Sequence, residues 1–152
     1  MFSKKSLSFV LVVALSFITV SAISAQSANE IMQKFQMSDN CQDAIKRFPA
    51  NLQNGFQGAY LSLTGLMGQT DEQALNLFNM FLMVNYMKTH VILAGKGSEP
   101  FAETGKTYSQ QYTELRVAGL QAGAMLQLAV GMSGTLTGRN LEIWGNNLME
   151  WL

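Results

Sequence analysis

Apolar residues recur at helical spacing along the chain beyond its first 25 positions, and no stretch alternates apolar and polar as a strand would. Ser27 to Glu30 forms an S-x-x-E capping box, which predicts a helix start ahead of Ile31, Met32 and Phe35. Asp39 is placed to cap a restart, and Cys41, Ala44, Ile45 and Phe48 continue an apolar stripe until Pro49. The residue before a proline avoids the helical region, so the helix should stop there. Leu52, Phe56, Tyr60, Leu63 and Met67 then step by three or four, and Gly55, Gly58, Ser62 and Gly65 make a second, small-residue face. Such a face lets another backbone approach closely.

Gly68 is the expected stop of that helix, and Thr70 with Gln73 the expected start of the next. This next helix should run to about Ala94 and end at Gly95. Its polar residues are few (Asn76, Asn79 and Asn85), so it must be covered over most of its circumference. Gly95 to Pro100 reads as loop, and Thr107 with Gln110 as another helix start. From there Tyr108, Tyr112, Leu115, Gly119, Ala122, Leu126 and Ala129 keep the spacing of a bundle seam. The last segment, Leu141 to Leu152, sets Leu141, Trp144, Leu148 and Trp151 against Glu142, Asn146 and Glu150. The fold class predicted is all-α: a compact bundle of four or five helices.

A long charge-free run, Val117 to Gly138, lies between Arg116 and Arg139 and contains five glycines. From Val117 to Leu136 it has the roughly 20 residues that a membrane span needs. Gln121, Gln127 and the glycines lower its hydrophobicity, and the polar residues just before it continue the same helix. A central helix packed closely in a bundle is therefore the first reading, with contact to lipid the second. Gly119-x-x-x-Gly123 fits either a close crossing or self-association.

The first 25 residues are set apart from this pattern. Lys4 and Lys5 precede an apolar run from Leu7 to Val20, and small residues follow. That is the layout of a secretory signal peptide, with cleavage after Ala25 or, as second choice, after Ala22. Residues 26–152 then form a single domain that is exported, periplasmic or extracellular. Its removal takes two of the ten Lys and Arg and none of the ten Asp and Glu, leaving a formal charge of −2. No basic patch remains to neutralise phosphates, so nucleic-acid binding is rejected. The single cysteine rules out an intrachain disulfide.

Catalytic chemistry finds little footing. Cys41 and His90, each the only one of its kind, carry no local sign of a thiol–imidazole dyad. They also supply too few ligands for zinc, and no cofactor is expected. A non-covalent haem held by His90 and one of the ten methionines is a remote alternative. The carboxylates are scattered, and no Gly-Lys-Ser/Thr follows a strand as a phosphate loop would. Low charge (13%), many Met and Phe residues and glycine gaps point instead to a non-catalytic protein binding an apolar small molecule or a protein partner. The residues expected to line an apolar site are Phe78, Met83, Tyr86, Gly119, Gly123 and Leu126. A membrane-associated or membrane-active protein that self-assembles through its glycine faces is the second hypothesis.

Overall fold

The computed structural model describes residues 37–102 and 104–152, which form an all-α bundle of five helices. The capping box at Ser27 and the signal sequence lie outside the described residues. Helix α1 spans Cys41–Arg47, α2 Ala50–Leu61, α3 Asp71–Lys88, α4 Tyr108–Ser133 and α5 Gly138–Trp151. Helices α2 and α3 each continue into one π-helical turn, Ser62–Leu66 and Thr89–Leu93, closed by bonds from Met67 N to Ser62 O (2.9 Å) and Ala94 N to Thr89 O (3.1 Å).

The punctuation largely follows the sequence. Thr70 and Thr107 each complete the expected capping box with Gln73 and Gln110. Gly68, Gly95 and Gly134 take positive φ just past the ends of three helical segments, a conformation that costs other residues energy. Pro49 does more than stop α1: after the extended Phe48 it also serves as the N-cap position of α2, so the two helices meet in a two-residue corner.

Two boundaries differ from expectation and one meets it. Asn40, not Asp39, caps α1, because its side-chain oxygen accepts from Asp43 N at 2.8 Å. Helix α4 ends at Ser133, within the Gly131 to Gly134 stretch whose glycines are expected to fray or end it, so the charge-free run is not one helix. Helix α5 begins at Gly138 rather than Leu141, since Thr137 is extended and Leu141 N can bond back to Thr137 O at 2.7 Å.

The most enclosed helix is α3 rather than α4. Its residues Leu77 to Val84 are buried without a break, so side chains on every side of it are covered. Helices α1 and α4 and the π-turn after α2 pack around it, and Phe56 of α2 meets Phe78 and Phe81 edge-on. Each of these large apolar side chains stabilises the fold by roughly 1.5–3 kcal/mol relative to exposure. An aromatic cluster marks the centre. Phe48 and Phe56 stack at 3.7 Å and 3°, Phe78 meets both edge-on, and Trp144 meets Phe56 at 5.5 Å.

The asparagines of α3 are not a solvated stripe. Asn79, 7% exposed, accepts from Ser38 N and donates to Ser38 O, both at 3.0 Å, and so ties the chain ahead of α1 to the middle of α3. Asn85 donates to Trp151 O at 3.1 Å, and only Asn76 of the three is exposed. Asp71 ties the other end: its main-chain oxygen accepts from the Cys41 thiol (3.3 Å) and its carboxylate from the Tyr60 hydroxyl (2.8 Å).

Except at exposed Gly65, which nothing covers, the small-residue faces are closed by side chains, not by backbone. Gly55 lies under the Trp144 indole, whose Nε1 donates to Leu52 O at 3.0 Å, and Gly58 lies under Thr135 and Ser133. Between α4 and α5, each gap faces a larger residue. Leu141 lies over Gly131, Gln127 over Gly145, Met149 and Leu148 over Gly123, and Leu152 over Gly119.

Candidate functional site

With the glycine gaps filled, the apolar area left over lies on the surface. Helix α4 is long and apolar enough to cross a membrane by length and composition, yet 44% of its most apolar window is buried in the bundle. Its outward side carries Val117, Gln121, Ala124, Leu128 and Met132, all exposed and none charged. Val117, Leu128 and Met132 expose 53%, 60% and 54% of their surface, far more than isolated core-forming residues would.

At the N-terminal end of this stripe a groove of about 410 Å³ opens between α3 and α4. The end of α3 supplies Lys88 and Ile92, four residues apart and so on one side of the helix. Helix α4 supplies Tyr112 and Thr113, then Arg116 and Val117 one turn later. Ile92 (58% exposed) and Val117 form aliphatic walls. No carboxylate is among the residues that line the groove.

The polar groups differ in how far they are committed. Lys88 Nζ donates to Glu150 O (2.8 Å) and Trp151 O (3.2 Å), placing a cation at the negative end of α5. Tyr112 completes that clamp by donating to Leu152 O at 2.8 Å. The Thr113 hydroxyl donates to Ser109 O at 2.9 Å and keeps its lone pairs. Half-buried Arg116 has no hydrogen bond or ion pair to any described residue, while the acid two residues before it, Glu114, is bound by Lys106 at 2.7 Å. The groove therefore presents an uncommitted guanidinium beside an engaged ammonium, with apolar walls.

The six residues expected to line an apolar site are placed differently. Phe78, Met83 and Leu126 are fully buried core residues. Gly119 and Gly123 face Val84, Leu152, Met149 and Leu148. Tyr86 lies at the far end of α3 in an aromatic stack, 4.3 Å from the His90 ring, which in turn lies parallel to Tyr108 at 4.9 Å. The groove residues were missed because nothing local to Lys88 or Arg116 shows that α3 and α4 bring them together. The usable signal was Lys88–Ile92 at one helix end and Arg116–Val117 where the charge-free run begins.

Cys41 and His90 do not meet. Cys41 bonds at the start of α3 and His90 follows its end, with about 27 Å of helix between them. Burial, and next the negative charge of Asp71, pushes the Cys41 thiol from 9.0 up to about 11, which makes it a poor nucleophile. His90 Nδ1 sits 3.0 Å from Tyr86 O, which leaves Nε2 as its second ring nitrogen. Among the described residues no three His, Cys, Asp or Glu gather around a point. Compared with protein-family models, curated proteins and solved structures, the chain matches none.

Proposed function

We propose that the protein is an exported, non-catalytic binding module that takes an apolar small molecule in the α3–α4 groove rather than inside the bundle. The observation that carries this reading is the pairing of filled glycine gaps with exposed aliphatic walls at Ile92 and Val117. The groove volume of about 410 Å³ falls in the range of small-ligand sites, roughly 300–1,000 Å³. The exposed stripe running on from Val117 to Met132 gives a longer apolar tail somewhere to lie. The signal-like layout of the first 25 residues supports export.

A neutral solvatochromic dye such as Nile red tests this on the exported chain. The wild type should bind the dye saturably, at about one per chain, with a blue-shifted emission. Val117→Glu and Ile92→Glu should each weaken that binding, since both positions are exposed and tolerate a charge without unfolding. Absence of saturable binding, or unchanged binding by both variants, rejects the groove as the site.

A further inference from the structure

We infer that the ligand is an amphiphile with a carboxylate head, and that Arg116 is the residue that holds the head. This rests on the groove being the ligand site and adds the chemistry of what enters it. The groove brings two cations together without a lining acid, so it favours an anion and repels an amine. Lys88 is already engaged at the end of α5, where two of its three donors are spent on Glu150 O and Trp151 O. Arg116 is the cation with its donors to spare.

A guanidinium fork matches a planar carboxylate with two parallel bonds, and one negative charge suffices to pair it. A dianionic head would call on Lys88 as well and pull it from the α5 carbonyls. The single remaining Lys88 donor is enough for a carboxylate already held by Arg116. Ile92 and Val117, both more than half exposed, then cover the first part of an alkyl or aryl tail, and water loses contact with both walls.

The test compares decanoate, decanol and decylamine by isothermal titration against the full exported chain, all below their aggregation concentrations. Wild type should prefer decanoate over decanol by about tenfold, the gain of one partly exposed charge-assisted contact, and should bind decylamine weakest. The preference should shrink as salt rises. Arg116→Gln should bring the decanoate-to-decanol ratio near one, Arg116→Lys should restore part of it, and Arg139→Gln, an exposed arginine outside the groove, should leave it unchanged.

Equal binding of decanol and decanoate by the wild type overturns the head-group assignment while leaving the apolar site standing. A preference that survives Arg116→Gln, or that Arg139→Gln removes as fully, overturns it too. If no decyl compound binds, the groove reading fails with it. Binding confined to phosphatidylglycerol vesicles, with none to free decanoate, replaces the small-molecule ligand by a lipid surface.

Discussion

Gly55 and Gly65 share a small-residue pattern in the sequence, but one is buried and the other exposed, and alanine at the two positions should have opposite effects. In a helix interior glycine costs about 1 kcal/mol relative to alanine, so propensity alone favours both changes. At Gly55 a Cβ would sit on the Trp144 indole. That ring is 2% exposed, holds Leu52 O through Nε1 at 3.0 Å and rests against Phe56, so it cannot retreat without losing these contacts. Overpacking of this kind costs about 1–3 kcal/mol and the lost buried hydrogen bond about 1 kcal/mol. Setting these against the propensity gain, Gly55→Ala should destabilise the fold by about 1–3 kcal/mol. At Gly65 a Cβ would meet nothing within 4 Å, so Gly65→Ala should stabilise by about 0.5–1 kcal/mol. Urea unfolding followed by circular dichroism and tryptophan emission gives both values, as midpoint shifts at constant slope. Thermal midpoints should move by about 3–5 °C per kcal/mol. A Gly55→Ala protein as stable as wild type refutes the account of a locked indole. A Gly65→Ala protein that loses as much as Gly55→Ala refutes the reading that only one of these glycines is covered.

Other substitutions probe the polar ties. Asn79→Ala should cost about 2–3 kcal/mol in urea unfolding, since it strips a bond from both Ser38 N and Ser38 O in a buried place; a loss under half a kilocalorie would show that the tie is idle. Gln111 is 1% exposed and neither polar atom of its amide finds a hydrogen-bond partner among the described residues, so Gln111→Met should raise stability by about 1–2 kcal/mol, and a lowered midpoint would contradict that. Cys41 links stability to alkaline pH. Its folded pKa of about 11 exceeds the ordinary 9.0, so its contribution is complete below pH 9 and is lost as pH climbs through 11. Tyr60, raised by its hydrogen bond to Asp71, acts in the same direction. Cys41→Ala should therefore flatten the fall in unfolding midpoint between pH 9 and 11 without abolishing it, and an unaltered slope would rule the thiol out.

Much of the fold could be read from particular residues. Thr70–Gln73 and Thr107–Gln110 carry both sides of a capping box in sequence, and each starts its helix where expected. Gly68 and Gly95 end theirs for a reason local to their own backbones. What stayed hidden depends on partners distant in the chain. Nothing near Asn79 announces Ser38, and nothing near Gly55 announces Trp144. The enclosure of α3 and the half exposure of α4 were likewise concealed, because absence of charge measures tolerance of burial and not burial itself. The groove combines residues whose meaning is positional: Lys88 and Arg116 matter together only once α3 and α4 lie side by side.

The facing of large and small residues between α4 and α5 also fixes how the two helices can slide. In the observed alignment Leu141, Met149 with Leu148, and Leu152 face Gly131, Gly123 and Gly119, while Gly145 reverses the order by facing Gln127. Shifting α5 by one turn in either direction sets Gly145 opposite a glycine, Gly123 or Gly131, and drives a leucine or methionine onto Gln127. Each slip thus opens a void and forces an overlap at once, and voids cost roughly 1 kcal/mol for each methyl-sized space. The single reversed pair makes the hairpin a key that fits at one depth. That depth holds the end of α5 where Asn85, Lys88 and Tyr112 reach it, and so maintains the edge of the groove from across the bundle.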